Sequence, residues 1–227
     1  MAGGQESRWN GFLNIHKHLI KIDGERLIDR MVRLVRERLE NPDITMVAFY
    51  PEYDIDGVKR VQPIPLEQQT KLTSGANESA NHWSETNRTI VLYGDVFYSN
   101  HAMDQICVHW SDNPTFFGRQ KGSQITGCYW GEIFAFSFLP KNHADVLNAI
   151  HISKKAAEST NQKSAGWQIY RALHGLPLIV EANWNEKTDM AGDFVEIDDF
   201  TEDFDRPEDF TEWFKRLANH RMKKEGV

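Results

Sequence analysis

The stretch TIVLYGDV at residues 89–96 decides how the rest of the chain is interpreted. Strand-forming residues run without interruption from 89 to 93 and are followed at once by Gly94 and Asp95. Such a continuous run is typical of a strand that is buried on both faces, as in a parallel sheet covered by helices. We therefore predict a central strand that ends in a polar loop carrying Asp95.

Segments on either side of this strand alternate between helical and extended patterns. Apolar residues recur at helical spacing over 27–39, whereas 45–50 is a short run of strand formers. The other predictions are strands at 115–118, 133–139 and 176–182, helices at 101–109, 142–155, 164–174 and 205–224, and an irregular stretch at 51–88. This alternation predicts one α/β domain over residues 1–227, with a mostly parallel sheet between two helical layers.

Composition excludes several functional classes. The 227 residues include 26 Lys and Arg against 33 Asp and Glu, a net charge of −7, which disfavours general nucleic-acid binding. No apolar run approaches the roughly 20 residues that span a bilayer, and the N-terminus lacks the basic and apolar regions of a secretory signal. Two cysteines are too few for a disulfide framework. We expect a cytoplasmic protein without a membrane partner.

The N-terminal residues carry groups suited to binding phosphate. Gly3 and Gly4 would let backbone N–H groups approach a phosphate closely, and Arg8 could pair with it. Lys17 would lie near this glycine pair, just before a short strand that ends at Ile22. Taken alone, glycines close to a chain start usually belong to a flexible terminus, and lone lysines are usually solvated.

Acidic residues form a second candidate group towards the C-terminus and after the central strand. In parallel sheets, ligands bind beyond the carboxyl ends of the strands, which draws attention to Asp95. Asp203 belongs to an acidic run that could simply be solvated. Asp205 could mark a helix start, because Pro207 follows it and acidic residues favour the helix dipole there.

Taken in order, these segments resemble the motifs of the nucleotidyltransferases, the family that includes sugar-1-phosphate nucleotidyltransferases, molybdenum-cofactor guanylyltransferases and CMP-sugar synthetases. The matching segments are AGGQESR (2–8), KHL (17–19), DGERLIDR (23–30), LYGDV (92–96) and DFDRPED (203–209). Two positions depart from the family pattern. Glu6 replaces a glycine of the phosphate loop, and His16 replaces a proline.

The resemblance implies a Rossmann-like sheet of the GT-A type, with a C-terminal helix from about residue 206, and a Mg²⁺-dependent reaction, with Mn²⁺ as an alternative metal. A nucleotidyl group would pass from a nucleoside triphosphate to a phosphorylated small molecule, with a sugar phosphate favoured, and pyrophosphate would leave. The implied residues are Arg8, Lys17 and Asp95 for catalysis, Asp95, Asp203 and Asp205 for the metal, Gly3, Gly4, Ser74, Gly75 and Asn77 for the nucleotide, and Gly131 and Glu132 for the sugar.

Two other functions stay open at the level of sequence. A glycosyltransferase on the same scaffold would bind a nucleotide-sugar and would not need to hold a triphosphate, which the acidic Glu6 favours. A non-catalytic relative that binds nucleotides or assembles with other proteins would also tolerate the altered phosphate loop. One scaffold hosts many functions, so the fold alone does not decide among them.

Overall fold

The computed structural model describes residues 8–64, 75–160, 166–178 and 192–225. Helices and strands alternate along these residues. The helices are α1 (Leu27–Arg36), α2 (Gly75–Ser79), α3 (Asn100–Val108), α4 (His143–Thr160), α5 (Gly166–Leu173) and α6 (Pro207–Glu225). The strands are β1 (Lys21–Ile22), β2 (Glu25–Arg26), β3 (Thr45–Val47), β4 (Lys59–Val61), β5 (Thr89–Leu92), β6 (Val96–Phe97), β7 (Thr115–Arg119), β8 (Glu132–Phe138), β9 (Asp193–Glu196) and β10 (Glu202–Asp203).

A four-stranded sheet with the order β5-β8-β7-β9 lies at the centre of these elements. Strand β8 runs antiparallel to β5 and to β7, whereas β9 runs parallel to β7. Phe117 lies opposite Ala135 but Gly118 lies opposite Ile133, so the register skips Phe134 in a β-bulge. Beside this sheet, β3 pairs with β4 in parallel, and β1–β2 and β6–β10 are short antiparallel pairs.

These strand directions correct one expectation from the sequence. The fold is mixed α/β, and the mostly parallel sheet that was expected is not confirmed, because β8 runs against both of its neighbours. Strands that are buried on both faces carry the same continuous apolar residues whether they run parallel or antiparallel. Hydrophobic patterning therefore locates such strands without giving their direction.

Helices cover both faces of the four-stranded sheet. On one face, Phe116 and Phe136 pack with apolar residues of α4 and α5. On the other face, Phe117 and Ala135 pack with apolar residues of α1 and α3. Every residue of β7 is buried as a result, including the polar Thr115 and the charged Arg119 at its two ends.

The predicted helices at 27–39, 101–109, 142–155, 164–174 and 205–224 are confirmed as α1, α3, α4, α5 and α6, with ends that differ by a few residues. Helix α6 begins at Pro207 with two acidic residues in its first turn, as its sequence predicts. None of the helices in the described part of the chain is long and apolar enough to cross a membrane.

The predicted strands at 45–50, 89–93, 115–118 and 133–139 are confirmed as β3, β5, β7 and β8. The central, fully buried position expected for 89–93 is wrong, because β5 lies at the edge of the four-stranded sheet and Val91 is its one buried residue. The stretch at 51–88 was expected to be irregular, but it contains β4 and α2. Both elements are short, so they give little periodic signal. The strand predicted at 176–182 is not present over 176–178, and its remainder lies outside the described residues.

Candidate functional site

Asp95 follows the carboxyl end of β5, in the turn that leads into β6. The hydroxyl of Tyr98 holds this turn, because it accepts the N–H of Tyr93 at 3.0 Å and donates to the carbonyl of Phe134 at 2.6 Å. The carbonyl of Asp95 accepts the N–H of Phe204 at 3.1 Å. Contacts to two distant segments therefore fix the backbone around Asp95.

The β6–β10 pair brings two further carboxylates to Asp95. In this antiparallel pair Asp203 lies opposite Val96, the residue after Asp95. Asp205 follows two residues later, between β10 and α6. One carboxylate oxygen from each of Asp95, Asp203 and Asp205 lies within 4.8 Å of the others. We call these three residues the acid cluster.

Two cations contact the acid cluster. Lys17 begins a short 3₁₀ helix, and its buried Nζ lies 2.5 Å from Oδ2 of Asp95 and 3.6 Å from Oδ1 of Asp205. Nη2 of Arg8 lies 2.6 Å from Oδ2 of Asp205. The side chains of Asp95 and Asp205 each keep 22% of their surface exposed, so a small ligand can reach them.

Burial and neighbouring charges shift the pKa values of Asp95, Lys17 and Asp203. Burial raises the pKa of Asp95, but the charges of Lys17 and His18 together with the hydrogen bond from Lys17 outweigh burial and lower that pKa to about 2. Burial lowers the pKa of Lys17, but Asp95 and Asp205 outweigh it, so the net shift is upward. Burial and the charge of Glu132 raise the pKa of Asp203 well above its ordinary value. Lys17 and Arg8 thus pair with Asp95 and Asp205, and a further positive charge at the cluster would favour the ionised form of Asp203.

The acid cluster suits a hard divalent cation. Mg²⁺ takes oxygen ligands, usually one or two carboxylates together with waters and substrate phosphates. Asp95, Asp203 and Asp205 offer three carboxylates whose oxygens are close enough to share one ion. These residues are those that the resemblance implies as metal ligands, and the structure brings all three together with Arg8 and Lys17.

Comparison with known proteins gives a fold and no family. No family model matches the chain, and no curated protein matches it. A solved structure of CTP:phosphocholine cytidylyltransferase from Streptococcus pneumoniae (LicC) aligns with 95% of this chain and 96% of that chain, at a TM-score of 0.58 and 14% sequence identity. This chain shares the fold of that enzyme. At this level of identity the likeness concerns the fold, and the chemistry must be argued from the site.

Glu132 adds a fourth carboxyl beside the acid cluster. It opens β8, and its Oε1 accepts the indole N–H of Trp130 at 2.8 Å. Burial and then the charge of Asp205 raise the pKa of Glu132 to about 8. The negative charge of the acid cluster therefore disfavours ionisation of Glu132. The contact of Glu132 with a sugar remains a prediction.

Gly131 has a packing reason of its own. A Cβ at this position would lie 2.4 Å from the carbonyl oxygen of Arg119 and 2.5 Å from the backbone of Gln120. The carbonyl of Gly131 also accepts the indole N–H of Trp167 at 3.0 Å. Close backbone approach thus explains the glycine here without a ligand, and its predicted role at a sugar pocket stays a prediction.

The residues predicted to bind the nucleotide are placed only in part. Gly75 and Asn77 lie in α2, which packs against β3 and α4. Gly3, Gly4 and Ser74 lie outside the described residues. The nucleotide-binding roles of all five remain predictions.

A buried ion pair, which the sequence did not predict, lies behind the acid cluster. Arg119 and Glu202 are 1% and 2% exposed, and Nη2 of Arg119 lies 2.9 Å from Oε2 of Glu202. Glu202 stands in an acidic run that favours a solvated surface, and Arg119 lies 83 positions away. One signal in the sequence could have indicated this pair. Successive side chains of a strand point to opposite sides, so if Asp203 faces the site, Glu202 must face the protein interior.

Proposed function

We propose that this protein is a Mg²⁺-dependent nucleotidyltransferase, which transfers a nucleotidyl group from a nucleoside triphosphate to a phosphorylated small molecule and releases pyrophosphate. The observation that carries the proposal is the acid cluster with Lys17 and Arg8 against it. Its position after the carboxyl end of β5, on a fold shared with a cytidylyltransferase, supports the same reaction class.

The reaction is a displacement at the α-phosphorus of the triphosphate. An oxygen of the acceptor phosphate forms the new P–O bond while the bond to the leaving pyrophosphate breaks, so no proton or electron has to be supplied. The protein contributes position and charge neutralisation. Asp95, Asp203 and Asp205 would hold Mg²⁺, which when bound neutralises charge on the phosphate oxygens.

Lys17 and Arg8 are the groups of this chain that would meet the phosphates. Lys17 is buried with its Nζ at the cluster, so its ammonium group is already oriented before a substrate binds. Arg8 is more exposed, with 46% of its side chain accessible, and its guanidinium can bind a phosphate in two-point fashion. We assign the α-phosphate to Lys17 and the outer phosphates to Arg8.

The acceptor is proposed to be a small phosphate ester. A sugar phosphate is the first class to test, because Glu132 beside the cluster could accept hydrogen bonds from hydroxyl groups. Phosphocholine is the second class to test, since the solved neighbour is named for that substrate.

The test is pyrophosphate release by the purified protein with Mg²⁺, each of the common nucleoside triphosphates and a panel of sugar phosphates and phosphocholine. One triphosphate and one acceptor class should together release pyrophosphate. Asp95→Asn should lower the rate by about 100-fold or more, since it removes a group that neutralises charge in the transition state. Asp145→Asn, an exposed acid in the first turn of α4, is the matched control.

Two outcomes would overturn the proposal. Release of a free nucleoside diphosphate from nucleotide-sugars, without pyrophosphate release from any triphosphate, would establish a glycosyltransferase. A folded protein that binds no triphosphate and no nucleotide-sugar in the presence of Mg²⁺ would establish a non-catalytic role.

A further inference from the structure

The buried ion pair of Arg119 and Glu202 lies directly behind a proposed metal ligand. Arg119 ends β7 and Glu202 begins β10, next to Asp203. Nη2 of Arg119 lies 3.0 Å and 2.9 Å from the two carboxylate oxygens of Glu202. Burial raises the pKa of Glu202, and the charge of Arg119 and a hydrogen bond with Thr126 oppose this shift.

Arg119 also holds the backbone on both sides of this contact. Its Nη1 donates to the carbonyl of Thr201 at 3.4 Å, and its Nε donates to the carbonyl of Lys121 at 3.1 Å. Its guanidinium lies 5.5 Å from the ring centre of Phe134 in β8. One side chain therefore connects β7, β8 and the start of β10.

Strand β10 needs such an anchor because it is only two residues long. It pairs with β6, which is equally short. Successive side chains of a strand point to opposite sides, so Glu202 faces Arg119 while Asp203 faces the acid cluster. Any shift of Glu202 along or across the strand would move Asp203 by a similar amount.

Stability alone is a weak reason for this ion pair. Two buried charges cost desolvation, and replacing both partners with apolar residues of similar volume is often neutral or stabilising. We propose that Arg119 is a positioning residue, which holds Asp203 in place as a metal ligand by fixing Glu202. This inference rests on the proposed function, since it assumes that the acid cluster binds a divalent cation.

The decisive variant removes both charges together. Arg119→Met with Glu202→Met keeps the buried volume without leaving one charge unpaired, so its melting temperature should stay near that of the wild type. Its affinity for Mn²⁺ alone, measured from the electron paramagnetic resonance signal of the free ion, should fall by about 10- to 100-fold, the usual effect of losing a group that orients a metal ligand. The concentration of Mg²⁺ that half-activates pyrophosphate release should rise in parallel.

Arg119→Lys serves as the conservative variant and as a second route if the double variant does not fold. It keeps a cation against Glu202 but loses the planar group that reaches the carbonyls of Thr201 and Lys121. We expect it to fold and to bind Mn²⁺ more tightly than the double variant and more weakly than the wild type. Affinity equal to the wild type in either folded variant would overturn the positioning role.

The controls separate this inference from the proposed function. Asp203→Asn should abolish Mn²⁺ binding both with and without the Arg119–Glu202 ion pair. A wild-type protein that binds no Mn²⁺ would overturn the metal site itself, and this inference with it. Mn²⁺ binding that is retained in the wild type and in the folded double variant would overturn the positioning role alone.

Discussion

The ammonium nitrogen of Lys17 lies 2.5 Å from Oδ2 of Asp95, although 78 positions separate the two residues in the sequence. Lys17 is buried, and no more than 22% of the Asp95 side chain is exposed, so this ion pair is little screened by solvent. The contact joins an N-terminal segment to the end of β5, which lies at one edge of the four-stranded sheet. It places a fixed cation where a phosphate bound near Asp95 would need one.

We expect Lys17→Met to lower kcat/KM for pyrophosphate release by about 100-fold or more, because a preoriented charge for the transition state is lost. Lys17→Arg should recover part of the activity, since a cation remains. Lys21→Met, at an exposed position of β1, is the matched control and should retain full activity. Steady-state kinetics of folded variants would decide, and unchanged kcat/KM in Lys17→Met would remove this lysine from the proposed reaction.

The raised pKa of Glu132 predicts a defined dependence of stability on pH. Its pKa is about 8 in the folded protein against an ordinary value of 4.5, so folding favours the protonated form. The contribution of Glu132 to the free energy of unfolding is therefore fully present below pH 4.5 and is lost as the pH rises through about 8. Glu132→Gln should weaken this dependence and make the protein relatively more stable at the alkaline end.

Urea denaturation of both proteins across this range measures the effect. Glu85→Gln, at an exposed position, provides the control and should leave the wild-type pH profile in place. Equal slopes of unfolding free energy against pH in wild type and Glu132→Gln would show that Glu132 is ionised in the folded protein.

Trp213 should be a main support of the segment that carries Asp203 and Asp205. It is fully buried in α6, its indole N–H donates to the carbonyl of Phe200 at 2.8 Å, and it packs against Phe97 and Phe204. We expect Trp213→Ala to reduce the free energy of unfolding by about 3–5 kcal/mol, as is usual for a large buried aromatic residue.

A second tryptophan supplies the comparison for that variant. Trp110 is 67% exposed, and its ring lies 5.9 Å from the guanidinium carbon of Arg88. Trp110→Ala should cost about 1 kcal/mol or less, since the contact with Arg88 is exposed. Chemical denaturation measures the free energy of unfolding of both variants. Similar losses in Trp213→Ala and Trp110→Ala would contradict the supporting role of Trp213.

The two cysteines should react slowly in the native protein. Burial raises the pKa of the Cys107 thiol to about 11 and that of the Cys128 thiol to about 12. Thiolate is the reactive form, so near neutral pH both side chains are held as unreactive thiols. Titration with a chromogenic disulfide should show slow modification of the native protein and rapid reaction of two thiols in urea. Rapid modification of the native protein would contradict the burial of these side chains.

Local signals were sufficient for the longer helices and for four of the strands, whereas short elements such as β4 and α2 were missed. The continuous run at 89–93 predicted a strand, and Pro207 with its acidic neighbours predicted the start of α6, because both depend on residues close in sequence. The edge position of β5 depends on its pairing with β8 and was not predicted. Glu202 lies in the same acidic run as Asp203, and nothing in that run predicts its pairing with Arg119, which is 83 positions away along the chain. The different surroundings of Glu202 and Asp203 therefore depend on contacts between distant segments, which no local sequence pattern indicates.

By itself, the sequence determined where the main strands and helices lie and which acidic and basic residues could meet a phosphate, because residue type and spacing fix local conformation and charge. Only the tertiary structure decided that β8 runs antiparallel to its neighbours, that the β6–β10 pair brings Asp203 and Asp205 to Asp95, and that Glu202 turns inward to Arg119. Strand direction and pairing depend on how distant segments pack together to bury their apolar faces, and that information is spread over the whole chain.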